Sequence, residues 1–482
     1  MRRLSLALAA TVASLAAGCG GGAHAPPGST THAAYGDPDG NGVLDRVPGE
    51  RLADRTDLAP ASRPVRRLAT FAVFADAHVR DEESPARVPF LDRLGGPFHS
   101  TFRPQEALSG QVLAGVVRSL DRLSLQAVVD LGDLVDNAQS NEYDEALAIL
   151  RGGRVHPDSG APGYSGVQSA SDPDPFYYRP DVDAPRHPGL LARAQRPFRS
   201  PGLRTPWFPL LGNHDILVQG EFRPTPAVRR LAVGSRRLVE LSPALRLAGR
   251  TGVSAAEVEA LLRAGLPGPT VRTAPDRRRA FVDPGRAMAR LRAASGHGAV
   301  VGGRLDYAFD VGANVRGIAL DVVRRDEGSR GLVDGAQLAW LRHQLTAAGR
   351  RRIVVFTHEP LASSTGGESV LRLLDRDRRV VAAVAGDTHR NRIEPRRSAG
   401  GGYWLVNTDS VADYPQQARA FSLVATAGGG VALETWLVDH ADADGAGAAR
   451  ELSYLDAQGG RPLGYAGGRL DRNARLFLPR AG

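Results

Sequence analysis

The chain has 482 residues, 42% hydrophobic, 23% charged and 6% aromatic, and its 61 basic against 52 acidic side chains give a net charge of +9. That balance excludes a wholly disordered chain, and without a run of eighteen apolar residues no polytopic membrane protein is encoded. Every basic residue is arginine, scattered in short groups such as Arg277-Arg278-Arg279 rather than gathered into a stripe with aromatics, so nucleic-acid binding is unsupported. The length allows about three domains or one domain swollen by insertions.

The first nineteen residues read as a targeting segment. Arg2 and Arg3 precede an Ala/Leu-rich run over residues 4–17, and Leu15-Ala16-Ala17-Gly18 leads into Cys19. A basic start, a short apolar stretch and small residues before a cut site describe an export signal, too short to span a bilayer. A cysteine at that point resembles a bacterial lipoprotein signal. The resemblance implies lipidation of Cys19 and anchoring to the outer face of the cytoplasmic membrane, with plain secretion as the alternative. Arg2-Arg3 hints at twin-arginine export, although Ser5 stands where that signal takes a large apolar residue. Cys19 is the single cysteine, so its lipidation excludes disulfides and thiolate-bound metals.

Residues 20–66 are rich in Gly, Pro, Ala, Ser and Asp and are expected to form a flexible tether. Inside them, the run from Asp37 to Asp45 places oxygen side chains at alternating positions with Gly42 sixth, like the first half of a calcium loop. Pro48 stands where such a loop needs a bidentate Glu, so a turn built from Asp, Asn and Gly competes with bound calcium.

From residue 67 to 440 the pattern is that of a folded domain, followed by a C-terminal extension over 441–482. Short apolar runs at 70–75, 127–131, 207–211, 353–357 and 380–385 have the length and composition of buried strands. Leu108, Val112, Val116, Leu120 and Leu123 mark a helix within 105–123, and 335–345 mark another. Strand, helix, strand order predicts an α/β fold. The runs at 316–322, 403–407, 420–425 and 431–437 alternate more and suggest a second, more antiparallel sheet packed on the first.

Each of the five apolar runs ends in chemistry. They deliver Asp76-Ala77-His78, Gly132-Asp133, Gly212-Asn213-His214-Asp215, His358-Glu359-Pro360 and Gly386-Asp387-Thr388-His389. Open α/β sheets bind ligands at the carboxyl ends of their strands. One such motif is usually a turn; five in order are hard to produce by chance.

The ordered set D-x-H, G-D, G-N-H-D, an isolated His and a final x-x-H resembles the calcineurin-like metallophosphoesterase superfamily. The likeness is to an exported bacterial branch with long insertions, marked also by residues 81–92 and 413–419. It implies a four-layer αββα sandwich, two mixed sheets flanked by helices, that hydrolyses phosphate mono- or diesters with two divalent ions and a bridging hydroxide. On this resemblance Asp133 bridges the ions, Asp76, His78 and His389 complete the first shell, and Asn213 and His358 bind the second ion. His214 assists the phosphoryl oxygens or the leaving group, with Asp215 holding its imidazole. Nitrogen and oxygen donors without sulfur suit Mn, Fe, Zn or Co. The departure is Asp387, where the family has a histidine on the second ion. A carboxylate there tilts that site toward Mn or another hard ion. It also opens a rival reading, a catalytically weak or inactive anchored protein that only holds metal or phosphate.

The intervals between motifs hold two insertions, about 152–204 and 217–301. Loops of that size are usually functional or disordered. They are expected to overhang the metals as a substrate rim, with Tyr177, Tyr178 and nearby arginines meeting the leaving group. Asp136 is expected to brace the loop after Asp133.

Overall fold

The computed structural model describes residues 28–94, 101–240, 269–326, 328–459 and 463–480. Cys19 and the apolar-periodic stretch at 255–264 lie outside the described residues. Among the described residues no helix is long and apolar enough to cross a membrane.

Two mixed sheets make up the centre. Seven strands, β1 (Ala53–Arg55), β2 (Pro64–Phe74), β3 (Ala127–Asp130), β4 (Trp207–Pro209), β11 (Gln417–Thr426), β12 (Val431–Asp439) and β13 (Ala474–Leu478), lie in the order β1-β13-β12-β11-β2-β3-β4. Six more, β5 (Tyr307–Val311), β6 (Val315–Ala319), β7 (Arg352–Phe356), β8 (Val380–Ala385), β9 (Arg392–Arg396) and β10 (Tyr403–Asn407), lie in the order β5-β6-β7-β8-β10-β9. In both sheets the strands that feed the motifs are parallel: β2 with β3 and β3 with β4 in one, β7 with β8 in the other. Strands such as β3 (AVVD) and β8 (VVAAVA) are buried along their whole length, as parallel strands covered on both faces require.

The sheets face each other across an aromatic core. Phe71 of β2 stacks on Phe421 of β11 at 4.8 Å and meets Phe356 of β7 edge-on at 5.8 Å. Phe208 of β4 stacks on Phe309 of β5 at 3.9 Å, and the Trp404 indole N–H donates to the Phe477 carbonyl at 3.3 Å. Helices complete the layers. α1 (Ser109–Leu120) lies against β12, α2 (Ser140–Arg151) and α6 (Ala446–Gln458), and α3 (Pro284–Ser295) lies against β4. On the other sheet, α4 (Gly335–Ala347) packs on α5 (Gly367–Leu374), whose Leu371 carbonyl accepts from Tyr403 of β10 at 3.3 Å. The α/β sandwich of the sequence reading is present.

Three expectations are corrected. The five motif strands do not share one sheet: three belong to the seven-stranded sheet and two to the six-stranded one. The run at 403–407 pairs in parallel with β8, whereas those at 420–425 and 431–437 return antiparallel beside β2. Hydrophobic periodicity tells which face of a strand is buried and says nothing of its neighbour. The tether is also corrected from residue 28 onward. Thr30 N–H donates to the Leu437 carbonyl at 3.0 Å, and β1 pairs with β13. Arg55 lies over the Trp404 ring at 5.0 Å and donates to the carbonyls of Ile393 and Leu470. Because β13 sits between β1 and β12, the C-terminal extension contributes a strand, Ala474–Leu478, to the seven-stranded sheet.

The segment from Asp37 to Asp45 is the turn of a hairpin between Ala33–Gly36 and Asp45–Pro48. Asp37 Oδ1 accepts the Asn41 N–H at 3.0 Å and its Oδ2 the Gly42 N–H at 2.9 Å, so these oxygens fold onto the turn's own backbone.

A chain beginning at residue 66 loses β1 and Arg55, exposing an edge of the seven-stranded sheet and the Trp404 ring. It is expected to unfold at a lower urea midpoint than a chain beginning at residue 20, as denaturation followed by tryptophan fluorescence will show.

Candidate metal centre

β2 and β3 keep pairing beyond their ends: the N–H groups of Asp76, His78 and Val79 donate to the carbonyls of Gly132, Asp133 and Leu134, each at 3.0 Å. Along this stretch Asp76 (φ 56°), His78 (φ 44°) and Asp133 (φ 52°) are left-handed. Asp387 (φ 61°) and His389 (φ 53°) repeat the conformation on the other sheet, so the same D-x-H turn occurs twice. The conformation costs about 1–2 kcal/mol per residue, least for Asp, and strain of this kind gathers at functional sites. Gly212 has a steric role, since a Cβ there would stand 2.1 Å from Asp133 Oδ1.

The side chains converge. His78 Nε2 lies 3.3 Å from His389 Nε2, which is 3.4 Å from Asp76 Oδ1. His358 Nε2 lies 3.3 Å from Asp133 Oδ2, 3.1 Å from Asn213 Oδ1 and 3.8 Å from Asp387 Oδ1. Three sets of ligand atoms, Asp76/His78/His389, His78/Asp133/His214 and Asp76/Asp133/His358, each lie within 4.8 Å of one another.

The far side of each ring explains the tautomers. His358 Nδ1 donates to the Leu131 carbonyl at 2.9 Å, His389 Nδ1 to Asp413 Oδ2 at 2.6 Å, and His78 Nδ1 faces Asp136 Oδ1 at 3.2 Å. With Nδ1 engaged outward, neutral imidazoles turn their Nε2 lone pairs inward, the arrangement of metal-binding histidines. Two such lone pairs at 3.3 Å, beside a buried Asp76 Oδ1 with no hydrogen-bond partner among the described residues, are poorly matched to one another and well matched to a cation. The surplus of acid points the same way. Burial together with the charges of Asp76 and Asp133, opposed by His358, pushes Asp387 to about 6. Burial would lower His389, yet Asp76 and Asp413 hold it up at about 9, so that without a cation a proton is drawn in to take its place, whereas a bound metal returns the ring to its neutral form. This nitrogen and oxygen donor set fits divalent ions of the borderline-to-hard class.

The structure thus brings together Asp76, His78, Asp133, Asn213, His214, His358 and His389. Asp387 stands at the margin, near His358 and outside the three tight sets. Asn213 is fixed by its own amide, whose Nδ2 donates to the Gly220 carbonyl at 3.1 Å. Asp215 departs from its expected role. Its carboxylate accepts the N–H groups of Gly212 (2.8 Å), Asp133 (3.1 Å) and Val135 (3.1 Å), while His214 Nδ1 donates to the Asp136 carbonyl at 2.7 Å. Three convergent backbone donors satisfy a buried carboxylate better than one imidazole, so Asp215 positions the Asp133 loop.

Tyr177 and Tyr178 also depart from expectation. Tyr177 is buried against Phe102 and Phe176, and the Tyr178 hydroxyl donates to the Pro185 carbonyl. Both hold the first insertion together rather than line a rim. Asp136 does more than brace its loop, because it orients His78. Asp413 was marked in the sequence only as part of residues 413–419, and no ligand spacing identified it as the partner of His389.

Two outcomes follow from this geometry. Asp413→Asn is expected to weaken metal binding about 10–100-fold, read by metal titration alongside a melting curve. Gly220 has φ +77°, and a Cβ there would lie 2.4 Å from both Asn213 Nδ2 and His214 Cδ2. Gly220→Ala is therefore expected to disturb the Asn213 side of the site first, seen as loss of one bound ion of two by elemental analysis.

No protein-family model matches the chain, and no curated protein does. Among solved structures it is similar to a dimetal phosphatase from Danio rerio, with 14% identity, 78% of this chain and 100% of that chain covered, and a TM-score of 0.38. It is similar to PhoD at 11% identity over 86% of this chain and 80% of that one, TM-score 0.32. It is also similar to purple acid phosphatase PPD1 from yellow lupin (Lupinus luteus) seeds, at 13% identity, 78% and 53% coverage and a TM-score of 0.31. At these scores the assignment of the site rests on its own geometry.

Proposed function

We propose that the chain is a dinuclear-metal-dependent hydrolase of phosphate esters. The observation that carries this reading is the inward convergence of the His78, His358 and His389 Nε2 atoms on the carboxylates of Asp76 and Asp133, with every Nδ1 engaged outward. Asp76, His78 and His389 would hold one ion, Asn213, His358 and Asp387 the other, and Asp133 would stand between them. Two divalent ions, when bound, supply charge neutralisation to a phosphoryl group and acidify water at neutral pH.

The protein's own share is positioning and proton delivery. His214 is fixed twice, by its backbone N–H donating to Asp133 Oδ1 at 2.8 Å and by Nδ1 donating to the Asp136 carbonyl. Its Nε2 is left to donate to a phosphoryl oxygen or to give a proton to the departing alkoxide. Its ring stands edge-on to His78, with centroids 4.5 Å apart. Asp215, beneath Asp133, keeps the central carboxylate in place.

The address belongs to the same proposal. The run over residues 4–17 with Cys19 at its end supports export and lipid anchoring at the outer face of a bacterial cytoplasmic membrane, where the substrates would be exported or envelope phosphate esters. Asp387 supports a second reading, an anchored protein that holds metal or phosphate with little turnover, because a carboxylate neutralises more of the second ion's charge than an imidazole does.

Reconstitution with Mn, Zn or Fe and assay on paired aryl phosphate mono- and diesters separates the two. Metal-dependent hydrolysis that falls about 10²–10⁴-fold in His214→Ala supports the enzyme. Two bound ions without turnover above that variant supports the holding protein. Asp387→His is expected to tighten the second ion; unchanged stoichiometry and rate would remove Asp387 from the ligand set.

A further inference from the structure

Arginines that are scattered along the sequence are gathered by the fold. Arg118 near the end of α1, Arg151 at the end of α2 and Arg199 of the first insertion stand around an open hollow of about 570 Å³, whose remaining wall is glycine, serine and proline. Arg118 Nη2 donates to the Arg199 carbonyl at 2.9 Å, which joins α1 to the insertion. Arg151 and Arg199 are exposed. Arg154 stands directly across from Arg199 in the ribbon formed by Gly153–Val155 and Phe198–Ser200, and like charges opposite each other on one face of a ribbon repel.

The positive charge of the hollow is largely unmatched. No acidic side chain lines it. Arg118 reaches Asp444 at 2.8 Å, whereas Arg151 and Arg199 make no ion pair among the described residues. Arg151 Nε donates to the Leu147 carbonyl of its own helix at 3.3 Å, which leaves its terminal nitrogens to an outside acceptor. Planar guanidinium groups suit phosphate oxygens, which they can grip with paired N–H donors. The wall has no aromatic ring, so it offers no platform on which a nucleobase would stack. An open hollow of this kind fits the phosphates of an extended surface better than one enclosed ligand.

The course of the chain indicates which surface that is. The Gly28 carbonyl accepts the Asp439 N–H at 3.0 Å, and a Cβ on Gly28 would lie 3.5 Å from the Oγ of Ser119, the neighbour of Arg118 on α1. Cys19 precedes Gly28 by nine residues, a reach of at most about 30 Å. A lipid on Cys19 would therefore hold this part of the molecule close to a bilayer. It would limit the distance and leave the orientation to surface charge, which acts within a Debye length of the membrane. We propose that Arg118, Arg151 and Arg199, with Arg154 beside them, form the face that rests on the phosphates of an anionic phospholipid surface. The proposal rests on the anchoring part of the reading above and is independent of catalysis, since none of these residues belongs to the metal centre.

A chain beginning at residue 20 keeps every described residue and carries no lipid, so its sedimentation with vesicles tests the face apart from the anchor. Binding to vesicles of phosphatidylcholine mixed with phosphatidylglycerol, but not to phosphatidylcholine alone, is expected, with loss in molar salt. Arg199→Glu gives Arg154 an opposite charge across the ribbon and is expected to weaken binding about tenfold. Arg151→Glu serves as a second variant should Arg199→Glu fail to fold. Arg342→Glu, exposed on α4 and outside the hollow, makes the same change in net charge and is expected to bind nearly as wild type does. Absence of binding to the anionic vesicles overturns the proposal. So does equal weakening by Arg199→Glu and Arg342→Glu, or binding to a DNA duplex in place of the vesicles. Anchoring is read separately: if the full chain leaves the membranes of expressing cells equally with and without Cys19→Ser, the address fails, whatever the vesicles show.

Discussion

Two imidazoles held from behind by buried carboxylates are the constraint on which the candidate centre depends. His78 leans on Asp136, which meets Arg80 at 3.1 Å and Arg87 at 3.5 Å. Arg87 grips Glu106 with two bonds of 2.8 and 2.9 Å, and Glu106 accepts the Arg103 N–H at 3.1 Å. Arg103 in turn grips Asp413 at 2.5 and 2.9 Å, and Asp413 holds His389. The circuit therefore runs from the loop after β2 on one sheet to the loops after β8 and β10 on the other.

Its charges balance, with Asp136, Glu106 and Asp413 against Arg80, Arg87 and Arg103, all buried. Burial alone would raise both orienting carboxyls, yet Arg80 holds Asp136 and Arg103 holds Asp413 well below the usual carboxylate range. Removing one member of such a network leaves an uncompensated buried charge, at a cost of about 3–5 kcal/mol. The network is thus better understood as a device for orientation than as a source of net stability. It fixes which ring nitrogen faces inward, and it ties together two sheets whose loops must meet to within a few ångströms.

The insertions take part in this positioning. The first closes on its own aromatic residues beside Phe102, the neighbour of Arg103. The second opens with Gly220, whose carbonyl holds the Asn213 amide, and comes back with Arg279, which pairs with Asp81 three residues beyond His78. Long excursions between motifs here supply struts to the loops that carry the ligands, which is one physical reason for their length.

Much of the donor set was legible in the chain itself. A ligand at the end of a strand must be written within a few residues of that strand, so Asp76, His78, Asp133, Asn213, His214, His358 and His389 were visible as local motifs, and the lengths of the apolar runs gave strands. The departure at Asp387 was equally local. Tertiary structure alone decided which strands share a sheet, why residues 28–66 are docked rather than free, and what Asp215, Asp136 and Asp413 do. Arg103 reaches Asp413 across 310 residues and His78 meets His389 across 311. Contacts of that range leave no periodic or spaced signal in a single sequence, because what fixes them is the packing of two sheets and the need of each buried charge for a partner.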